Sequence, residues 1–409
     1  MDSLARIFRA ASGQVLASLV YFSRDIQLAE DALQDACEQA SKKWPVQGVP
    51  ENTAAWLHLV AKRKLIDKLR QQHSRQNQHK LRLIEESLYT LSDTSAETDY
   101  AVPDERLRLI FTCCHPALNE AAQVALTLRT LCGLDVREIA RAYLLSEAAI
   151  GQRITRAKKK IKDAGISYEI PDAEHLNIRL PSVLKVIYLI YNESYSAYEG
   201  QSLTRQDLAD EAIRLSLAMV KLIPHPEVLG LAALMLFHDA RRLSRSSVIE
   251  PYIPLEQQNR RLWDLAKIAQ GDAYINQAME YKQPGPYQVQ AAISALHSKA
   301  KIWDVTDWPQ IQLLYMSLYQ IHPSPVIALN LAIAKANGGH LTKAYADVVA
   351  LSNELHQYQP YHAARGELEG RLNLYKEAIS SISGAISLSK NSTERDFLIK
   401  KREKLIKYV

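Results

Sequence analysis

The stretch from Leu134 to Lys162 constrains the fold more than any other part of the chain, because it encodes two short helices joined by a tight turn. Asp135 and Glu138 have the spacing of a capping box, which predicts that the first helix begins here. Ser146 is a favourable N-cap for the second helix. The apolar positions of that helix recur at i, i+4, i+7 and i+11, and they are Ile150, Ile154, Ala157 and Ile161. These features predict a helix-turn-helix.

The opposite face of the second helix is small, polar and basic. Small side chains permit close approach, Gln152 and Arg156 suit hydrogen bonds to base edges, and the basic end of the helix suits phosphates. We therefore predict a recognition helix that enters the DNA major groove. The alternative is an ordinary helical hairpin whose charges are solvated. The predicted DNA contacts are Ala148, Gln152, Arg153, Thr155, Arg156, Lys158, Lys159 and Lys160.

The run EIARAYLLSEAAIGQRITRAKKKI resembles region 4.2 of bacterial extracytoplasmic-function sigma factors, which belong to the sigma-70 family. It departs from the family pattern at Leu144, where the turn usually carries Gly, and at Gly151, where a basic residue is frequent. The departure at Leu144 resembles the subgroup of these proteins that has a long C-terminal extension. The resemblance implies that the helix-turn-helix reads the −35 promoter element and contacts the β flap of RNA polymerase.

Residues 4–83 form a first predicted helical unit. Within it, the run AEDALQDACEQASKKW has an apolar side at helical spacing and an acidic exposed side that includes Glu30. The run resembles sigma region 2.2, which in the family binds the clamp helices of the polymerase β′ subunit; a solvated helix face is the alternative. The residues to which the resemblance assigns core RNA polymerase binding are Asp31, Gln34, Asp35 and Glu38.

The run NTAAWLHLVAKRKLIDKLRQQHSR predicts a basic helix after a polar loop, with Asn52 or Thr53 as its N-cap. Aromatic and basic residues beside a loop suit single-stranded DNA. The alternative is a solvated helix, and for Trp56 we predict a place in the core. The run AAWLHLVAKRKLIDKLR resembles sigma regions 2.3 and 2.4, which melt and read the −10 element, although the family often has Asn where Arg63 stands. The residues assigned to −10 binding are Asn52, Lys62, Arg63, Asp67 and Arg70.

Residues 84–103 are polar and acidic and lack an apolar period, so we predict a flexible linker. Residues 104–170 form a second predicted unit that includes the helix-turn-helix. Its Cys113-Cys114-His115 run invites a metal-binding interpretation, but zinc needs four ligands at workable spacing, and we predict buried structural cysteines and no metal. The chain has four cysteines and no CxxC pair, which favours a reduced, cytoplasmic protein.

Residues 171–409 lack the basic clustering and are rich in Ala and Leu, with helical segments broken by prolines. This pattern predicts stacked helical pairs. Ala332 and Ala344 are matched 34 residues later by Gly366 and Ala378, which is the spacing of tetratricopeptide repeats. Segments such as RLPSVLKVIYLIYNESYSA and PSPVIALNLAIA resemble the C-terminal domain of the extended sigma subgroup. The resemblance to that subgroup therefore covers almost all of the chain.

Few segments alternate apolar and polar residues with the period of two that β-strands require, and Gly and Pro are sparse, so we predict an all-α protein. The length of 409 residues predicts two or three domains. The apolar run Leu229–Phe237 is too short to span a bilayer, and the N-terminus lacks the pattern of a signal peptide. Candidate polar groups such as His238 have no spacing typical of a catalytic triad, a metal site or a phosphate loop. Asp239 and Arg242 instead predict an i, i+3 ion pair. We expect no enzymatic activity and no cofactor.

The resemblance implies an alternative sigma factor that binds core RNA polymerase and promoter DNA and is regulated by its C-terminal extension, at which a regulatory protein is an expected partner. The alternative is a helix-turn-helix transcription regulator with a helical-repeat, partner-binding domain that never acts as a polymerase subunit. The acidic helix that resembles region 2.2 favours the first interpretation, because a simple repressor does not need it.

Overall fold

The computed structural model describes residues 2–71, 103–143, 145–196, 203–246, 252–389 and 392–409. Within these residues the chain forms helices and no strands, so the predicted all-α class is confirmed. The predicted linker at 84–103 lies outside the described residues, except for Pro103, the first residue of a helix. In the described part of the chain, none of the helices has the length and apolar character needed to cross a membrane.

The chain divides into two compact units, of which the first comprises Met1–Ser194 and Leu203–Leu215 and the second comprises Tyr195–Ser202 and Ser216–Val409. The division therefore falls later than the predicted boundary at residue 170. The helices of the first unit are α1 (Asp2–Ser23), α2 (Ile26–Gln47), α3 (Thr53–Gln71), α4 (Pro103–Cys113), α5 (Glu120–Thr130), α6 (Val136–Ala142), α7 (Glu147–Asp163), α8 (Ala173–Ser196) and most of α9 (Leu203–Leu222).

The ends of α2 are fixed by local backbone chemistry. Asp25 caps the helix by accepting hydrogen bonds from the backbone N–H groups of Gln27 and Leu28, at 3.0 and 3.2 Å. Gly48 ends it in a left-handed conformation with φ of 86°, which a glycine adopts without steric cost. These two signals position the acidic side of α2 along 22 residues of helix.

A bundle of α1, α2 and α3 buries the apolar stripe that the sequence predicted. Trp44 is buried, and its ring meets that of Trp56 edge to face with centroids 5.4 Å apart. Trp56 thus packs on the core, as predicted, although part of it stays exposed. The stripe of α2 consists of Ala29, Leu33, Ala36, Ala40 and Trp44.

The predicted structural cysteines lie in the core of the first unit. Cys113 and Cys114 are buried, and their thiols lie 3.2 and 3.7 Å from the hydroxyls of Thr130 and Thr127. Burial raises the pKa of both thiols, which keeps them protonated. Among the described residues, no group of three or more His, Cys, Asp or Glu side chains is arranged to hold a metal ion.

Helix α8 lies almost entirely in the first unit, and two of its side chains bind residues of that unit. Arg179 donates a hydrogen bond to the backbone carbonyl of Phe111, and Lys185 pairs with Glu120. Sequence reasoning missed this attachment because the partners are more than sixty residues away along the chain. The buried apolar residues of α8 are Leu180, Val183, Leu184, Val186, Ile187, Ile190 and Tyr191.

The second unit is a succession of helices, many of which begin at a proline in the first turn, where a missing N–H costs nothing. Its helices after α9 are α10 (Pro226–Ala240), α11 (Leu265–Glu280), α12 (Pro286–Lys299), α13 (Trp308–Ile321), α14 (Pro325–Asn337), α15 (Leu341–Ala350), α16 (Ser352–Leu355), α17 (Gln359–Arg371), α18 (Tyr375–Leu388) and α19 (Ser392–Ile406).

The helix pair α14 and α15 recurs as α17 and α18 with the predicted period of 34 residues. Ala332, Ala344 and Ala378 are buried at the crossings within the pairs. At Gly366 a methyl group would lie 2.8 Å from the side chain of Ile382 and 3.2 Å from the carbonyl of Ala378, so a larger residue would force these neighbours to shift. The small residues noted in the sequence therefore permit close helix crossing.

Asp239 is a buried carboxylate with two cationic partners. It accepts a hydrogen bond from Arg242 Nε at 2.6 Å, which confirms the predicted i, i+3 pair, and one from Lys267 Nζ at 2.7 Å. The two partners compensate the cost of burying the charge. The pair is therefore structural, and it gives no support to a catalytic role for Asp239.

Candidate nucleic-acid interface

The helix-turn-helix is held by the local hydrogen bonds that its sequence predicted. The backbone N–H of Asp135 donates to Glu138 Oε2 at 2.8 Å, and the N–H of Glu138 donates to Asp135 Oδ1 at 2.7 Å. Ser146 accepts a hydrogen bond from the N–H of Ala149 at 3.2 Å and starts α7. The capping box fixes the start of α6 and the serine fixes the start of α7, so short-range chemistry defines both helices.

Helix α7 has the two faces that the sequence predicted. Ile150, Ile154, Ala157 and Ile161 are buried against the rest of the unit. Gln152 and Arg156 lie four residues apart on the exposed side, where both side chains are available to base edges. Of the predicted DNA contacts, the structure exposes Ala148, Gln152, Thr155, Arg156, Lys159 and Lys160, and it places Arg153 and Lys158 in half-buried positions.

Lys158 and Lys162 form ion pairs with the first turns of α2. Lys158 Nζ lies 2.6 Å from Glu30 Oε2 and 3.0 Å from Gln27 Oε1, while Lys162 Nζ lies 3.0 Å from Asp25 Oδ2. Burial alone would raise the pKa of Asp25, but hydrogen bonds from Lys162 and from the N–H of Leu28 hold this pKa below its usual value. One flank of the recognition helix is therefore neutralised by α2.

The acidic side of α2 is less uniform than its periodicity predicted. Gln34 and Glu38 are exposed, and Glu38 pairs with Lys42 one turn on. Asp31 accepts a hydrogen bond from Gln27 at 2.8 Å, and Asp35 lies 3.0 Å from Lys68 of α3, so both are partly covered.

The prediction that Glu30 is exposed is wrong. Its side chain is only 13% exposed, because it packs against Lys158 and lies 4.0 Å from Arg129.

The basic helix α3 presents most of the residues assigned to −10 binding. Asn52 caps it by accepting the N–H of Ala55 at 2.9 Å, as predicted. Arg63, Asp67 and Arg70 are exposed on one face of the helix. This face has both cationic groups and an open surface, which the binding of a single strand requires.

Lys62 is the member of the −10 set that the structure does not place on the surface. It is 3% exposed, and its ammonium lies 4.5 Å from the ring centroid of Phe22. Burial lowers the pKa of Lys62 to about 8, against an opposing effect of Glu105. The sequence contained the signal for this placement, because Lys62 precedes the buried residues Leu65 and Ile66 by three and four positions.

Sequence reasoning also missed the residues that join the α1–α3 bundle to α4 and to the segments on either side of the helix-turn-helix. Arg24, with a left-handed φ of 54°, donates to the backbone carbonyl of Tyr168 at 3.1 Å. The guanidinium of Arg108 lies 5.1 Å from the ring centroid of Tyr21. At Gly13 of α1, a methyl group would clash with the backbone carbonyl of Leu131, so α1 touches this carbonyl directly. Contacts over such long chain distances leave no local pattern.

The comparisons with known proteins agree with this arrangement. Residues 7–75 match the family model of sigma-70 region 2, and residues 108–161 match that of sigma-70 region 4. Residues 179–279 match a family of unknown function, DUF6596. No solved structure is significantly similar to the chain.

A protein of Rhizobium meliloti (strain 1021), described as uncharacterized, is similar to this chain over nearly its whole length. The two are 42% identical over 395 residues, which is 95% of this chain and 92% of the relative. The region 2 match covers most of the α1–α3 bundle, and the region 4 match covers the helix-turn-helix with nearly all of α7. Because both regions occur in one chain and in this order, the chain belongs to the sigma-70 family of transcription initiation factors.

Proposed function

We propose that this protein is an alternative sigma factor of the extracytoplasmic-function type. In this proposal it acts in the cytoplasm, binds core RNA polymerase, directs it to −35 and −10 promoter elements and helps to open the DNA. The single observation that carries the proposal is the exposed face of α7, where Gln152 and Arg156 lie one turn apart on a helix-turn-helix whose two helices are both capped at their N-termini.

The −35 element is the expected ligand of that face. Gln152 and Arg156 are assigned to base edges, since amide and guanidinium groups make paired hydrogen bonds with purines. Arg153, Lys159 and Lys160 are assigned to phosphates, which fix the register of the helix on the duplex.

Core polymerase is the expected partner of the acidic side of α2. Exposed Gln34 and Glu38 and partly covered Asp31 and Asp35 suit a basic protein surface, for which we propose the clamp helices of the β′ subunit. The β flap is the proposed partner of the helix-turn-helix unit. No bond-making chemistry and no cofactor are part of this function.

The −10 element is assigned to α3. Its exposed Arg63 and Arg70, beside the Asn52 cap and the preceding loop, suit a single strand held by its backbone. Lys62 is left out of this set, because its ammonium is directed into the bundle.

The C-terminal helical unit is proposed to regulate initiation through a protein partner. Support comes from the helix pairs with a 34-residue period, which are typical of tetratricopeptide-like repeats, and such stacks offer extended surfaces to proteins.

The test of the proposed function is run-off transcription with purified core polymerase and a library of genomic promoters. We expect the chain to support initiation at a subset of promoters. If the chain binds DNA but neither binds core polymerase nor initiates transcription, it is a DNA-binding regulator and the proposal is wrong.

A further inference from the structure

The first two turns of α2 carry carboxylates that occupy one flank of the recognition helix. The pair of Glu30 and Lys158 is well shielded, since each side chain is only 13% exposed. Lys162 and Asp25 form a second, more open pair one turn along α7. Lys158 and Lys162 are four residues apart, so both project from the same flank of the helix. An ion pair as shielded as the first is less weakened by salt than a surface pair.

Three further contacts support this arrangement, two of them to backbone carbonyls and one between charged side chains. Arg24 donates to the carbonyl of Tyr168, and Gly13 lets α1 approach the carbonyl of Leu131. Arg129 approaches the second oxygen of Glu30 from another helix, at 4.0 Å. These contacts hold the α1–α3 bundle against the segments before and after the helix-turn-helix, so two flexible lysine side chains are not the only link between α7 and α2.

We infer that the start of α2 is a docking surface for the Lys158–Lys162 flank of α7, and that this docking competes with promoter DNA for the recognition helix. The inference rests on the proposed −35 role of α7. In it, Asp25 and Glu30 hold the ammonium groups of Lys162 and Lys158, which would face the phosphates at this flank if α7 lay in the groove.

The dimensions of DNA explain why the two ligands exclude each other. An α-helix with its side chains is about 10–12 Å wide, and the major groove is about 12 Å wide. A helix inserted in the groove therefore has one sugar–phosphate backbone against each of its flanks. While α2 covers the Lys158 flank, one of the two backbones has no room, even though Gln152 and Arg156 remain exposed.

The docking surface also adjoins the proposed polymerase interface. Asp31 of α2 lines a cavity of about 380 Å³ together with Thr155 and Lys159 of α7. A protein that engages Asp31 therefore meets the edge of the docked recognition helix. A protein that binds the acidic side of α2 would therefore displace α7 from its docking surface and make it accessible to DNA.

The test uses the full chain with Asp25→Asn and Glu30→Gln together. Asparagine keeps the N-cap of α2, and glutamine keeps the size of the side chain, so only the two charges are removed. The matched control is Glu51→Gln with Glu174→Gln, which removes two exposed charges from the same unit outside the docking surface and outside the proposed polymerase interface. A third variant, Gly13→Ala, disturbs the docking through the Leu131 carbonyl without changing any charge.

Docking itself is measured without DNA, by pulsed lysine acetylation and mass spectrometry. We expect Lys158 to react slowly in the wild type and in the control and at least severalfold faster in the Asp25→Asn, Glu30→Gln chain, while exposed Lys159 reacts equally in all three. Equal reactivity of Lys158 in the three chains would overturn the docking.

Competition is measured by fluorescence anisotropy with a short labelled duplex of mixed sequence at low salt. We expect the docking variants to bind it about tenfold more tightly than the wild type, as follows when the competent fraction rises by that factor. Equal affinity of wild type and variants would overturn the competition and leave the DNA-binding function standing. If none of the chains binds DNA, both the competition and the proposed DNA-binding function are wrong, whatever the acetylation result.

Discussion

His58 Nε2 lies 2.8 Å from Ser18 Oγ, and this bond joins α3 to α1 inside the N-terminal bundle. Burial lowers the pKa of His58 to about 3, and the charge of nearby Lys62 contributes to this lowering. The imidazole is therefore neutral in the folded bundle at neutral and mildly acidic pH. Below the ordinary histidine pKa of 6.5, the unfolded chain binds a proton that the folded chain does not.

The first prediction is that the bundle loses stability as the pH falls below 6.5. One such group contributes a slope of at most about 1.4 kcal/mol per pH unit, and no contribution above the unfolded pKa. Urea unfolding of the full chain between about pH 7.5 and 5.5 measures it. His58→Gln, which keeps a hydrogen-bonding group for Ser18, is expected to remove that share of the slope. An unchanged slope in the variant would show that other groups cause the pH dependence.

The second prediction separates base contacts from phosphate contacts on α7. Arg156→Ala is expected to cost roughly 1–3 kcal/mol at a matched −35 site and to change the preferred base there. Lys159→Ala is expected to weaken all sequences alike and to lower the salt slope of binding by about 1. Both effects are measured by DNA binding and promoter transcription over a range of salt concentrations. Wild-type behaviour of both variants would remove this face from the DNA interface.

The third prediction concerns the acidic side of α2. Gln34→Lys with Glu38→Lys is expected to abolish co-purification with core polymerase, because both positions are exposed and the expected partner surface is basic. The fold is expected to survive, since exposed pairs such as Glu38–Lys42 contribute at most about 1 kcal/mol. Glu51→Lys, in the loop before α3, is the control for added positive charge. Retained core binding by the double variant would contradict the assignment.

The fourth prediction tests the close helix crossing in the C-terminal unit. Gly366→Ala is expected to destabilise this unit by about 1–3 kcal/mol, because the new methyl group would lie 2.8 Å from Ile382 in a packed core. Gly370→Ala is the matched control on the same helix, where the nearest atom lies at an ordinary 3.4 Å and alanine favours the helix. Thermal unfolding followed by circular dichroism compares the two. Equal midpoints would mean that the crossing is looser than the structure has it.

The fifth prediction concerns regulation by the extension. A chain that ends after Leu222 keeps α8 and α9 whole and is expected to differ from the full chain in promoter transcription at equal concentration. A chain that ends after Ile170 loses the contacts of Arg179 and Lys185 and is expected to be less stable. Equal transcription by the full chain and the Leu222 chain across salt and temperature would make the extension a separate interaction module.

The features that the sequence predicted well are those with short-range causes. The capping box of Asp135 and Glu138 lies within four consecutive residues, and the apolar stripe of α7 lies within twelve consecutive residues. Their geometry follows from hydrogen bonding and burial inside a few turns of helix. For the same reason, the sequence of α7 alone is enough to assign its exposed face.

The features that the sequence did not predict depend on distant partners. Glu30 has the periodicity of an exposed residue, but its partner Lys158 comes 128 residues later and the chain between them gives no sign of the pairing. Lys62 is different, because its spacing to Leu65 placed it on the inner side of α3 and its charge alone favoured an exposed position. The attachment of α8 likewise depends on a distant residue, because Arg179 binds the carbonyl of Phe111, 68 residues earlier in the chain.

The recurrence of α14 and α15 as α17 and α18 affects how the C-terminal unit comes apart. Tyr361 and Leu368 of α17 share a core with the preceding pair, whereas Ile382 of α18 shares one with Leu398 of α19. Each of these cores is thus formed mainly by helices that are neighbours in the chain. Unfolding is therefore expected to be cooperative between adjacent helix pairs and not across the whole unit. The far end can therefore fray while the earlier pairs keep their packing, so the unit can lose structure one pair at a time.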